Sequence, residues 1–344
     1  MSLSSKLPPL ERLALSVGCL LFVACGHATQ RGTSPQPIID VHFHAMAADE
    51  QGPPPLAMCV SGKNLPAWDP SQPWPEAFIG WLKKPECQDP LWSPSTDDEL
   101  LRRSIEILRR YNITALTSGP GAGVVERWHA AEPERIIPTL FLNVADQPPS
   151  VETVRQWFKE GRYKALAEVA NQYGGMEPND PAFEPYLALA EELDVPVGIH
   201  IGTGPPGAPY LGFDKYRARM HSPLALEEVL LKHPRLRIYV MHAGWPMLDD
   251  MLAVMWAHPQ VYVDTGVIIY ALPKAGFYRY LQRLVEAGFG RRVMFGSDQM
   301  VWPEVLPRAI QLIEDAPFLS AEQKRDILYN NAARFLRLEP AATK

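Results

Sequence analysis

The chain has 344 residues, 47% of them hydrophobic, enough for one large core or two modest ones. Its 33 basic and 39 acidic residues give a net charge of −6 with no basic stripe, which argues against nucleic acid as a partner. Thirty-five prolines accompany plentiful aromatic and branched apolar residues, a balance that reads as long rigid loops rather than disorder.

At the N-terminus, Lys6 and Arg12 precede an apolar run from Leu13 to Ala24, and small residues lead into Cys25. A run of about 12 residues is too short to span a bilayer and fits a secretory signal. Phe22-Val23-Ala24-Cys25 resembles the lipobox of bacterial lipoproteins, although Phe22 departs from the usual aliphatic residue. Residues 1–25 therefore read as a lipoprotein-type signal peptide and 26–36 as a polar linker. The expectation is an exported, periplasmic protein that meets the membrane only through a lipid anchor at Cys25. Export would carry Cys59 and Cys87 into an oxidising compartment, where a disulfide and two buried thiols are both open.

From residue 37 the pattern alternates between strand and helix. Strands are predicted at Pro37–Ala45, Ile113–Gly119, Ile136–Asn143, Lys164–Ala170, Val195–Gly202, Arg237–Gly244, Val261–Ile268 and Val293–Asp298. Each is short, rich in Val, Ile and aromatics, and mostly free of internal charge, as strands buried on both faces should be. Leu101, Ile105 and Leu108 share a helical face behind a Thr96–Glu99 capping box, and Ser320 with Gln323 repeats the device before Ile327 and Leu328. Further helices are predicted at 151–160, 182–193, 223–232, 247–257, 274–287 and 304–315. Eight strands alternating with helices predict a (β/α)8 TIM barrel over residues 37–340. A doubly wound sheet would carry a Gly-rich phosphate turn after its first strand, and none follows His44. Residues 46–95 form instead a long insertion, read as irregular and as a lid or pocket wall, with Trp68, Trp74, Trp81 and Trp92.

The segment Ile38-Ile39-Asp40-Val41-His42-Phe43-His44 carries the strongest chemical signal. Side chains at i and i+2 of a strand point the same way, so His42 and His44 converge. Glu168, His200, His242 and Asp298 each lie at the C-terminal end of a predicted strand, and a barrel gathers those ends around one mouth. Imidazoles with carboxylates suit zinc, manganese or iron better than calcium. Asp40 and Asp264 read as hydrogen-bonding groups around these ligands. His233 and His258 each precede a proline at a helix C-terminus, where an imidazole favours the dipole. His221, at the end of the loop after the fifth strand, has no assigned role.

The motifs Asp40-Val41-His42-Phe43-His44, Ala167-Glu168-Val169, Gly198-Ile199-His200, Met241-His242-Ala243-Gly244 and Phe295-Gly296-Ser297-Asp298 together resemble the amidohydrolase superfamily. The similarity is to the branch that includes aminocarboxymuconate-semialdehyde decarboxylase and related lactonases, over roughly residues 37–338. Leu328-Tyr329-Asn330-Asn331-Ala332-Ala333-Arg334-Phe335 resembles that branch's closing helix, which usually reads Gly-Asn-Ala. By that resemblance His42, His44, His200 and Asp298 would hold one metal ion, most simply zinc, and His242 would orient or deprotonate the attacking water. In two-ion relatives a strand-four carboxylate bridges the ions while His200 and His242 serve the second, and Glu168 occupies that place. The resemblance implies catalytic roles for Asp298 and His242.

The expected activity is metal-dependent hydrolysis of an ester, lactone or amide in a small molecule, with non-oxidative decarboxylation as the alternative. A decarboxylase must grip a carboxylate, usually by a bidentate arginine. The nearest arginines, Arg217 and Arg219, lie some seventeen residues past His200. Tyr173, Trp245, Tyr270, Trp302 and the loop from Gly202 to Tyr210 are expected to line the pocket. The sequence is silent on oligomeric state, leaving a homo-oligomer open.

Overall fold

The all-buried run Ile38–His44 forms β1, as its lack of exposed charge requires. The structure, a computed structural model, describes residues 35–62, 65–121 and 123–338. The expected signal peptide, Cys25 and nearly all of the linker lie outside the described residues. Among those described, no helix is long and apolar enough to cross a membrane.

After β1 come the short β2 (Ala57–Met58) and β3 (Leu91–Trp92), then β4 (Ile113–Ser118), β5 (Ile136–Pro138) and β6 (Leu140–Leu142). β7 (Leu166–Val169), β8 (Val197–His200), β9 (Ile238–Met241), β10 (Val261–Asp264) and β11 (Val293–Met294) complete the set. Parallel pairing runs β1-β4-β5 and, separately, β6-β7-β8-β9-β10-β11. Backbone bonds join the two sets. Thr139 N donates to Thr117 O (2.8 Å) and Leu140 N to Ala165 O (2.9 Å), so β5 and β6 are one strand turned at Thr139. At the other seam, Val41 N donates to Phe295 O (3.0 Å) and Asp298 N to His42 O (2.6 Å). The result is the mixed α/β TIM barrel expected, with helices such as Asp97–Arg110, Glu184–Glu192 and Leu248–Ala257 between the strands and Val305–Glu314 after the last.

Two apolar layers follow from this geometry. Ile39, Val41, Leu116, Ala167, Tyr239, Met241 and Met294 fill the barrel interior. A larger layer, with Ile38, Phe43, Val197, Ile238, Val263 and Phe295, packs the strands against the helices. Burying each Val, Leu, Ile or Phe side chain contributes roughly 1.5–3 kcal/mol, which favours this two-layer solution.

Four expectations need correction. The eighth strand was expected to run to Asp298, but β11 stops at Met294, because Phe295–Asp298 bends to bond β1 instead. The segment after Asp264 is likewise not strand; a short helix, Ile268–Ala271, begins there. The insertion is also less irregular than expected. It contains the helix Trp74–Lys83, started by a proline in its first turn, and the antiparallel β2–β3 pair. Cys59 and Cys87 are joined by a disulfide, Cα–Cα 5.9 Å, that ties the two arms of the insertion. At Thr96 the cap is single, its side chain accepting from Glu99 N, whereas Ser320–Gln323 makes the full reciprocal box.

Candidate metal centre

A β-bulge sets which way His42 and His44 face. Ile39 and Val41 point into the barrel, and strict alternation would bring Phe43 in after them. The register of β1 against β4 shifts between Asp40 and Phe43, and Phe43 packs outward. One extra residue thus turns the His42 and His44 rings to the mouth, their centroids 5.2 Å apart.

Each ring is held by its Nδ1. Asp264 Oδ2 lies 3.1 Å from His42 Nδ1, and Ser118 Oγ lies 3.1 Å from His44 Nδ1. The Nε2 atoms therefore face the other candidates. His44 Nε2 is 3.1 Å from Asp298 Oδ1 and 3.4 Å from Glu168 Oε2. His42 Nε2 is 3.7 Å and 3.9 Å from the same two oxygens.

Glu168 of β7 reaches the second half of the cluster through Oε1, which contacts His200 Nδ1 at the end of β8. His200 Nδ1 is also 3.1 Å from His242 Nε2. His242 follows β9 with a φ of 59° and puts its Nδ1 3.0 Å from Gly266 O. Asp298 has a φ of 53°, and Tyr270 Oη donates to its carbonyl at 2.6 Å. Left-handed backbone at two non-glycine residues of one site is held by surrounding bonds, a common feature of functional centres. All six residues predicted from the sequence therefore meet, and none is more than 7% exposed.

Electrostatics explain how such a cluster survives burial. Burial alone would push the Glu168 carboxyl up, yet His200, then His44 and His42, hold it well below the usual carboxylate range. Asp298 is held down against burial in the same way by His42 and His44. For His42, burial works against the charge, but Asp298, Asp264 and Glu168 raise it to about 10. His242 lies among the imidazoles and goes the other way: burial, then His200 and His42, lower it to about 4.

A divalent cation fits these donors. Ligand atoms of His42, His44 and Asp298 lie within 4.8 Å of one another, as do those of His42, Glu168 and His242. His42 Nε2 and His200 Nε2 are buried with no hydrogen-bond partner, and leaving such atoms unused is costly. Two ionised carboxylates facing imidazole nitrogens match the preferences of borderline first-row ions.

Some positioning groups were not legible beforehand. Ser118 carries no signal in the sequence, being one serine at a strand end. Asp264 does more than expected: besides His42, its Oδ1 accepts from His242 N (2.9 Å) and Gly266 N (2.8 Å). Tyr270 and Trp302, expected as pocket walls, are 0% and 2% exposed; Trp302 Nε1 donates to Leu56 O at 2.9 Å. Tyr173 stays beside the cluster, its ring 5.0 Å from His200. The insertion reaches the loop after β8 through Trp74 Nε1, which donates to Pro206 O (2.9 Å), and through Trp68, 4.8 Å from the Tyr210 ring. His233 and His258 cap helices as expected, with His233 between Glu184 (3.0 Å) and Glu191 (3.2 Å).

No curated protein sequence matches the chain. Among solved structures, an uncharacterised TIM-barrel protein of Bordetella bronchiseptica is similar, with TM-score 0.59 and 17% identity over 88% of this chain and 99% of its own. A 5-carboxyvanillate decarboxylase of Novosphingobium aromaticivorans, complexed with manganese, gives TM-score 0.57 and 15% identity over 89% and 97%. A probable 2-pyrone-4,6-dicarboxylic acid hydrolase of Acinetobacter baumannii gives 0.53 and 13% over 88% and 100%. These likenesses speak for the fold. The activity class rests on a separate finding, a family profile described as Amidohydrolase that matches residues 39–338, from the second residue of β1 to the end of the described chain. With its buried set of metal-binding side chains at the barrel mouth, the chain belongs to the amidohydrolase family of metal-dependent enzymes.

Proposed function

We propose that this enzyme hydrolyses an uncharged ester, lactone or amide in a small molecule. The observation that carries the reading is the absence of a carboxylate-gripping cation among the described residues of the site. Among the described residues Glu168 and Asp298 have only histidines within ion-pair distance, and no lysine or arginine. Arg217, the nearest arginine past His200 in the chain, is exposed and donates to Asp214 O (2.8 Å) and Tyr216 O (2.7 Å). Arg219 is exposed as well. A substrate carboxylate would find no bidentate partner here, whereas a neutral carbonyl needs none.

In this reading His42, His44, His200 and Asp298 would hold zinc, with Glu168 linking the two halves of the donor set. When bound, the ion would supply Lewis acidity and make hydroxide available near neutral pH. The chain's own residues do the rest. Asp298, whose Oδ2 is 3.9 Å from His242 Nδ1, takes the proton of the attacking water and returns it to the departing alkoxide or amine. His242, neutral and with its Nδ1 hydrogen directed to Gly266 O, presents the Nε2 lone pair and orients the attacking water by accepting one of its hydrogens. Water adds across the acyl bond, giving an acid and an alcohol or amine. Tyr173 and the insertion edge at Trp68 and Trp74 limit solvent access. We also propose, on the sequence around Cys25 alone, that the enzyme acts in the periplasm as a lipid-anchored protein.

The test is a panel of uncharged lactones, esters and amides against metal-loaded enzyme, with chelation and zinc restoration as the control. Turnover lost on chelation and regained with zinc supports the reading. Carbon dioxide release from an aromatic carboxylic acid, with no hydrolysis across the panel, overturns it in favour of decarboxylation.

A further inference from the structure

Three of the four clustered histidines have their outward nitrogen tied to protein: His42 to Asp264, His44 to Ser118 and His242 to Gly266 O. His200 is the exception. Its Nδ1 faces Glu168 and His242, while its Nε2 is buried without a partner. Yet a ring that can pivot makes a poor ligand, so an anchor for Nε2 is expected on physical grounds.

His221 is the side chain in the right place. It is fully buried, and neither of its ring nitrogens has a hydrogen-bond partner. Its ring lies 5.4 Å from that of His200, edge to face at 74°. Tyr216 covers its other flank at 4.7 Å, with the phenol oxygen itself committed to Gly204 N (2.9 Å). Three buried, unsatisfied nitrogens in two adjoining rings form a polar spot in an otherwise aromatic surround, the setting in which a single ordered water is retained.

We infer that His221 is a positioning residue for His200: one bridging water accepts from His200 Nε2–H and donates to His221, fixing His200 with Nδ1 turned to the metal. The two nitrogens that face the water are thereby used. The inference rests on the proposed metal site and adds to it the residue that locks its strand-end histidine.

Zinc affinity of the full chain, measured by competition with a chromophoric chelator, tests it without reference to any substrate. His221→Phe keeps the aromatic packing and removes both nitrogens; His221→Gln keeps a hydrogen-bonding end. The expected result is affinity weaker by about 10- to 100-fold in His221→Phe, with His221→Gln within about threefold of wild type. Wild-type affinity in His221→Phe overturns the inference, and so does equal weakening in both variants, which would mark a packing effect. If His221→Phe does not fold, His221→Leu against His221→Gln gives the same reading. Failure of the wild-type protein to bind zinc at all would instead overturn the metal site itself.

Discussion

Asp264 grips two of the site histidines at once: Oδ2 meets His42 Nδ1 at 3.1 Å while Oδ1 accepts the backbone N–H of His242 at 2.9 Å. In the neutral ring that coordinates a metal, Oδ2 accepts the hydrogen bond of Nδ1–H, which leaves the lone pair of His42 Nε2 aimed at the cluster. Asp264→Asn keeps the shape but offers an amide N–H towards Nδ1, driving the ring proton to Nε2. The expected loss in zinc affinity is about 10- to 100-fold, read by chelator competition. His42→Ala and His44→Ala remove the ligands themselves and should lose most of the metal on elemental analysis; wild-type content in both would refute the site.

Proton release gives a second check. Without metal, His42 is raised to about 10, so it carries a proton at neutral pH. Coordination needs the neutral ring, and zinc uptake at pH 7 must therefore expel that proton. Affinity should rise with pH by about tenfold per unit for each proton displaced, flattening as pH approaches the His42 value. Calorimetry in buffers of different ionisation enthalpy reports the proton count directly. A count of zero would contradict the assignment of His42 as a ligand.

The disulfide closes a sequence separation of 28 residues around the helix Trp74–Lys83. Chain entropy gives such a loop about 3–4 kcal/mol of stabilisation relative to the open form. Cys59→Ser should leave the barrel folded but loosen the insertion, because the insertion's grip on the loop after β8 includes the single Trp74–Pro206 hydrogen bond. Limited proteolysis should cut Cys59→Ser within residues 46–95 well before wild type. Equal resistance of the two proteins would show that the aromatic contacts alone hold the insertion.

The lipid anchor is testable by fractionation. Wild-type protein expressed in a bacterial host with its own N-terminus should sediment with membranes, since a multiply acylated cysteine anchors stably. Cys25→Ser should appear in the soluble fraction. A Cys25→Ser protein that stays with the membranes excludes the anchor.

Much of the site was legible because its chemistry sits where strands end. His42, His44, Glu168, His200, His242 and Asp298 could be proposed together because short apolar runs identify strands, and a barrel brings their ends to one mouth. The capping serine at Ser320 was legible for a similar reason, its partner Gln323 being three residues away. Ser118 was not, because its role depends on the pairing of β1 with β4 across a sequence separation of 74 residues. Nor was His221, whose loop position says nothing of the His200 ring it packs against.

By itself the sequence determined the fold class and which residue types gather at the barrel mouth, since both follow from local periodicity and from residue chemistry at strand ends. The tertiary structure alone decided which atoms face inward. The i, i+2 rule puts His42 and His44 on a common side, but that side is chosen by the bulge between Asp40 and Phe43, which exists only because β1 must register against β4. Likewise Asp298 reaches the histidines through a bend that gives up the β11 ladder for hydrogen bonds to β1. Both outcomes are set by hydrogen bonds between segments far apart in the chain, and no local pattern encodes those.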